Sequence, residues 1–398
     1  MSIRNIHHAV LLILLAAGCG ETFKPASYVD RLRILAVQAD PPEVMDPASD
    51  PSGGGPGASS RIRSLVADPA QLEDLEREVS VLYLACTPDP RQPSQGAVCT
   101  SYAMLQDPAA LAALLGRSAG GDPASCGGAS EGEPDTGPET TSLISFLGGE
   151  RCAHGVDCEP LSITVGDSAF PLPPPTYVVP DHLRLHDLDP GDPARILGVH
   201  ASVVAIALAA SADELLQGID PGDPCTLATE LGPRLAALLE IRDSVVAVKR
   251  IQVRGPDATD PPNLNPAVDG ILNGDLPLPP ELEDPIPEAA ALSRGRAYPL
   301  RAILPGDPPD LRQPFTIYDA RGKKLKEEEE ERLYSWFATA GSFEELRLRS
   351  PDEPNRWTAP TGREEDDPIP VGGRVFFYTV VRDMRGGVDW AVREGRIP

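Results

Sequence analysis

The chain has 398 residues, enough for two or three domains, with 60 Asp plus Glu against 35 Lys plus Arg and a net charge of −25. That balance sets nucleic acid aside as a partner, because binding phosphates needs a basic surface. The 36 Gly and 45 Pro disfavour long helices and favour short strands with many turns between them.

The apolar run Ala9 to Ala17 is too short to span a bilayer, which needs about 20 residues. Arg4, His7 and His8 precede it without an acid, and Ala16, Ala17 and Gly18 end it. Basic, apolar, then small is the order of a secretory signal, here residues 1–18. Cys19 follows at once, and the segment resembles a bacterial lipoprotein signal with its small or apolar triplet before an invariant cysteine. The resemblance implies cleavage before Cys19, a diacylglycerol on its sulfur and an acyl chain on the new amine. Leu15 stands one place earlier than the usual leucine. Several acyl chains anchor firmly, since each buried CH₂ contributes about 0.8 kcal/mol. Gly20 stands where an aspartate would signal inner-membrane retention, so the resemblance implies a cell-envelope address, with the outer membrane favoured and the leaflet open. Residues 19–30 read as a tether.

Residues 31–254 read as a β-rich Ig-like domain. Leu32 to Val37 is a first strand, followed by the turn "ADPPEV" and the breaker-rich loop "DPASDPSGGGPGASS". "RIRSLVA" and "EVSVLYLAC" are the next strands. In the second, Val79, Val81 and Tyr83 share one face and Leu82 and Leu84 the other, so both faces are apolar and the strand is central. An insertion of about residues 87–160 holds one short helix, "DPAALAALLG", capped by Asp107 with Pro108 at its first position. Strand signals return at "LSITV", "TYVVP" and "ARILGVHASVVAIALAA". "DPCTLATELGPRLAALLEIRD" reads as two short helices broken at Gly232-Pro233, with Leu235, Leu238 and Leu239 as an apolar stripe. "SVVAVKRIQVR" closes the domain. Residues 255–294 are a Pro-rich connector with one hairpin turn at Asn273-Gly274.

With Cys19 lipidated, six cysteines remain: Cys86, Cys99, Cys126, Cys152, Cys158 and Cys225. An even number in an exported protein reads as disulfides. Fifteen pairings are open, of which the near pairs Cys86–Cys99 and Cys152–Cys158 cost least. Cys152, His154 and Cys158 are close together, but their spacing fits no common zinc pattern.

Residues 295–398 hold all three tryptophans, Trp336, Trp357 and Trp390, which predicts a compact core. "YPLRAIL", "PFTIYDA", "LYSWFATA", "ELRLR", "NRWTAP", "RVFFYTVVRD" and "GVDWAVR" are seven strand signals, the pattern of an immunoglobulin-like sandwich. In the last, Val388, Trp390 and Val392 alternate with Asp389, Ala391 and Arg393, and Gly386-Gly387 makes the preceding turn. The charged run Lys323 to Arg332 reads as a solvated hairpin loop. "YSWFATAGSF", "NRWTAP" and "VVRDMRGGVDW" resemble the PKD and related Ig-like domains of bacterial surface proteins. Trp336, Gly341, Phe343, Trp357, Thr358, Pro360, Asp383, Arg385 and Gly387 match, over roughly 65 residues. "LRILAVQADPPEV" and "PNLNP" also resemble pieces of a family of myxobacterial-type surface lipoproteins, which implies a fold and an address but no activity.

Catalytic signals fail on context. "GASEG" around Ser130 has the spacing of a hydrolase elbow, without the strand before it and the helix after it. "GGGPGA" lacks the same setting for a dinucleotide. "DLDPGD" begins like a calcium loop, but its twelfth position is Gly198, not a bidentate Glu. His182 and His186 share a face with Asp187 and Asp189 nearby, and read as solvated loop residues in extended chain. No P-loop, HExxH or CxxC occurs. The expectation is a mainly β protein of Ig-like β-sandwich domains with loop and short-helix insertions. It has no expected cofactor, metal or catalytic residue. It acts as a structural or binding module for envelope protein or polysaccharide partners. The alternative is an exported enzyme whose site is built from the loop insertions of the first domain.

Overall fold

A computed structural model describes residues 25–45, 58–88 except 75, 144–154, 158–165, 168–171, 174–180, 183–216, 219, 224–305 except 283, 312–363 and 367–398. In the first half the strands are β1 (Arg33–Asp40), β2 (Glu43–Met45), β3 (Ser59–Ala67), β4 (Val79–Cys86), β5 (Ile144–Cys152), β6 (Glu159–Pro160), β7 (Ser162–Val165), β8 (Ser168–Pro171) and β9 (Thr176–Val178). Helix α1 (Ala194–Leu197), β10 (Val199–Leu208), α2 (Ala212–Leu216), α3 (Pro224–Ile241) and β11 (Ser244–Arg254) follow. The second half comprises β12 (Gly270–Asn273), β13 (Leu276–Pro277), β14 (Ala297–Ile303), β15 (Pro314–Tyr318), β16 (Lys324–Glu329) and β17 (Leu333–Ala338). It ends with β18 (Ser342–Phe343), β19 (Arg347–Leu348), β20 (Asn355–Thr358), β21 (Arg374–Arg382) and β22 (Val388–Arg396).

The protein is mainly β, and its strands stack in sandwich layers. A six-stranded sheet, β2-β11-β10-β4-β5-β6, faces a three-stranded sheet, β1-β3-β9. Between them lie Ile62, Val81, Tyr83, Val203, Ile251 and Val253. The opposite face of the six-stranded sheet carries Leu82, Leu84, Val204 and Ile206, covered by Leu215, Leu231 and Leu235 of α2 and α3. Strand β4, apolar on both faces, therefore sits centrally between β10 and β5, as its sequence predicts. In the second half a four-stranded sheet, β19-β17-β21-β22, faces a five-stranded sheet, β13-β12-β14-β20-β18, across Trp336, Trp357, Phe377 and Leu300.

The two sandwiches also share a core. The outer face of the three-stranded sheet presents Leu35, Leu65 and Ala67 to Phe376, Tyr378, Val380, Val388 and Trp390 on the outer face of the four-stranded sheet. Alternation builds this: in β21, Phe376, Tyr378 and Val380 face the first half while Val375, Phe377 and Val381 face their own core. Trp390 thus belongs to the seam, and only Trp336 and Trp357 lie in the C-terminal core. The result is one stack of a helical layer and four sheets.

Several elements differ from the sequence reading. "ARIL" is the helical turn α1, because the Asp192 carboxylate accepts from the Ala194 N–H at 2.8 Å and Pro193 starts the turn. The two helices expected around Gly232-Pro233 are the single helix α3, with Pro233 inside it. An interior proline costs about 3 kcal/mol. Burying Leu231, Leu235 and Leu238 on the sheet offsets it at about 1.5–3 kcal/mol each. "LHD" around His186 is a 3-10 turn rather than extended chain. The charged run Lys323 to Arg332 contains a strand, β16, paired antiparallel with β15, and Glu330 and Arg332 near its C-terminal end are buried. The hairpin at Asn273-Gly274 is present, but β12 beside it joins the C-terminal sheet. The end of the expected tether is held: the Val29 N–H donates to Ala338 O at 2.8 Å, Ala338 N–H donates to Ser27 O at 2.9 Å, and Val29 is fully buried. The helix expected at 107–116 lies outside the described residues.

Candidate functional site

The residues singled out by resemblance converge on the seam. Glu43 follows the "ADPP" turn on β2 and is 5 % exposed. Its carboxylate accepts from Arg254 Nη1 at 2.7 Å, Arg385 Nη2 at 3.0 Å and the Asn263 N–H at 3.0 Å. Arg385 reaches from the β21–β22 turn and also pairs with Glu330 at 3.3 Å. Burial pushes the Glu330 carboxyl up from its usual range. Asp383 folds the turn: its Oδ1 accepts from the Arg385 and Gly387 N–H groups at 2.8 and 2.7 Å. Its Oδ2 accepts from Asn263 Nδ2 at 3.1 Å. Gly387 is required here, because a Cβ would stand 2.1 Å from Asp383 Oδ2. In "PNLNP", Asn265 bridges the halves, donating to Ala39 O at 2.9 Å and accepting from the Val388 N–H at 3.0 Å. Nearby, Arg63 on β3 pairs with Asp389 at 3.2 Å and lies 4.7 Å from the Trp390 ring centroid.

This arrangement is a lock. Glu43 is held by three donors, and Arg385 bridges two carboxylates. Groups committed in this way hold two surfaces in register. The remaining motif residues act the same way inside the C-terminal sandwich. Trp357 Nε1 donates to Ala340 O at 2.9 Å, and Gly341, at φ 69°, lets the chain pass 2.8 Å from the Trp357 ring as measured from a hypothetical Cβ.

A second convergence lies at the other end of the seam, beside a pocket of about 500 Å³. His154 is buried there, edge-on to Phe376. Its Nδ1 accepts from the Asp68 N–H at 3.1 Å, so Nε2 carries the proton and donates to the Tyr378 oxygen at 2.9 Å. Burial pushes the imidazole down to about 4, so it is neutral at neutral pH. The pocket's arginines are engaged: Arg77 with Asp68 and Asp243 at 2.6 and 2.7 Å, Arg151 with Glu159 at 3.2 Å, Arg374 with Glu394 at 2.6 Å.

Of the predicted site residues, Cys152 and Cys158 are joined by a disulfide, which removes them as zinc ligands. Cys86 is disulfide-bonded. Cys225 lies in the first turn of α3. Cys19, Cys99, Cys126, Ser130 and His182 lie outside the described residues. His186 pairs with Asp187 at 3.0 Å. Among the described residues no group of three His, Cys, Asp or Glu is placed to hold a metal ion, and no helix is long and apolar enough to cross a membrane.

No protein-family model and no curated protein matches the chain. Among solved structures, Escherichia coli alpha-2-macroglobulin activated by porcine elastase aligns at 10% identity with a TM-score of 0.16. That alignment covers 94% of this chain and 23% of that one, so the chain spans under a quarter of its length, and the overlap carries no argument about fold or activity.

Proposed function

We propose that this protein is an exported cell-envelope lipoprotein, anchored through Cys19 in a membrane, with the outer membrane favoured. Its PKD- or Ig-like sandwiches form one rigid body that serves as a structural or binding module for envelope protein or polysaccharide partners. The observation that carries the module reading is the seam: the residues most specific in the sequence are spent joining two sandwiches, through a shared apolar core and the Glu43–Arg385–Glu330 ion pairs. The Cys152–Cys158 disulfide fits an oxidising compartment. The enzyme alternative gains nothing from the pocket histidine, whose two nitrogens are both in use.

The anchor is tested by fractionating cells that express the wild type and Cys19→Ala. The wild type partitions into the membrane and carries acyl chains by mass spectrometry, and the variant is recovered in the soluble fraction. Membrane association of the variant without acylation overturns the anchor.

A further inference from the structure

A groove of about 340 Å³ opens between the sandwiches on the side bounded by β1, β11 and the β21–β22 turn. Both strands present a margin there. β1 is the edge of its sheet. β11 pairs along one side with β10, and β2 pairs with its other side only at Gln252–Arg254; along Ser244–Ile251 no described strand is hydrogen-bonded on that side, and β1 lies alongside without pairing. Bare strand margins carry backbone N–H and C=O groups that accept an added extended segment.

Three cations line this groove: Lys249, Arg382 and the exposed Arg250. Lys249 is 9 % exposed and lies on the same face of β11 as Ile251 and Val253. It donates to Gly386 O. Arg382 is half-buried and donates to Leu35 O at 2.6 Å and Ser335 Oγ at 3.4 Å. Among the described residues neither Lys249 nor Arg382 has a carboxylate within ion-pair distance, whereas Arg63, Arg77, Arg195, Arg254 and Arg385 all do. Asp383 is the acid facing Lys249, and its oxygens are taken by Arg385 N–H, Gly387 N–H and Asn263. Arg347 adds positive charge near Arg382. Lys249 is buried with its nearest acid beyond ion-pair distance and Arg382 is half-buried with only neutral acceptors, an arrangement that a further carboxylate would stabilise. Val248, 40 % exposed, gives the margin an apolar contact point.

We propose that this groove docks an extended acidic polypeptide segment. A carboxylate of the segment pairs with Lys249 and Arg382 while its backbone lies along the margins of β1 and β11. The proposal rests on the binding-module part of the reading above and is independent of the anchor, so it and the Cys19 test fail separately.

The test uses the full chain with two fluorescein-labelled decapeptides, (Glu-Val)5 and (Lys-Val)5, followed by anisotropy at two salt concentrations. The expected result is saturable binding of the acidic peptide alone, weaker at high salt, and weakened at least about tenfold by Lys249→Met. The same substitution raises the thermal midpoint, because it removes an unpaired buried charge; a lysine with only a structural role would lower it. Arg382→Gln weakens binding as a second, independent variant. The proposal is overturned by no binding of (Glu-Val)5, by equal binding of both peptides, or by wild-type affinity in Lys249→Met. Competition by millimolar sulfate alone would also overturn it in favour of a simple anion site. So would a concentration-dependent dimer that Lys249→Met dissolves, in favour of a second copy as the occupant.

Discussion

Glu150 offers a quantitative check on the first sandwich. It sits on β5 opposite Val81, 1 % exposed, with the Tyr83 hydroxyl donating to its Oε2 at 2.6 Å. Burial pushes its carboxyl up from 4.5 to about 7, against the weaker pull of the Tyr83 bond and of Arg61 and Arg63. Between those two pH values the native chain keeps a proton that the unfolded chain has released. The contribution of Glu150 is therefore complete below about pH 4.5 and is lost as pH rises through 7. At about 1.4 kcal/mol per unit the loss comes to about 3 kcal/mol. His154 works in the opposite direction: with its native value near 4 against 6.5 unfolded, it removes stability as pH falls through that interval. The two slopes oppose each other from about pH 4.5 to 6.5, so the wild-type profile is flatter than either residue alone would make it. Glu150→Gln keeps an acceptor for Tyr83 and abolishes the titration. Urea unfolding followed by tryptophan fluorescence, at pH steps from 4 to 8, gives the difference between variant and wild type. That difference is expected to grow in favour of the variant by about 3 kcal/mol between pH 4.5 and 7. Parallel profiles would refute the assignment of a protonated Glu150 in the core.

Arg385→Ala leaves Glu43 and Glu330 buried with one cation fewer, and is expected to lower unfolding stability by about 3–5 kcal/mol. An unchanged urea midpoint would show that the seam does not depend on this arginine. Replacing Cys152 and Cys158 together by Ala releases a short closed loop and is expected to cost about 2 kcal/mol, measured the same way under non-reducing conditions. Reduction of the wild type should reproduce that loss, together with whatever the bond at Cys86 contributes.

How far the sequence foretold this depends on the range of the interaction. Alternation within one strand was readable. Val388, Trp390 and Val392 do share a face, and Ala391 lies on the other. The double-sided β4 is central for the same reason. The strand reading of "ARIL" missed a helix start that Pro193 and the Asp192 carboxylate set up, and the break expected at Pro233 is absent because burial of its neighbours outweighs proline's local cost. The destination of Trp390 was not readable, since alternation says which residues share a face but not whether that face meets its own sandwich or a neighbour. The words "ADPPEV", "PNLNP" and "RDMRGG" stood out separately, and nothing in their order showed that Glu43, Asn263, Asn265 and Arg385 meet. Ion pairs spanning more than three hundred residues of chain, such as Arg385–Glu43, leave no local signal. The groove cations were hidden likewise, as Lys249 and Arg382 look like ordinary alternating polar positions.

The clasp of Ser27 and Val29 on Ala338 has a mechanical consequence. A pull on the chain upstream of residue 25 reaches the last sandwich before it reaches β1. It loads the two backbone bonds to Ala338 at the end of β17, the Arg33 bonds to the Ala26 and Tyr28 carbonyls, and the buried Val29. That contact ties the start of the described chain to the far sandwich, so a load applied there enters the stack at β17 rather than at the neighbouring β1.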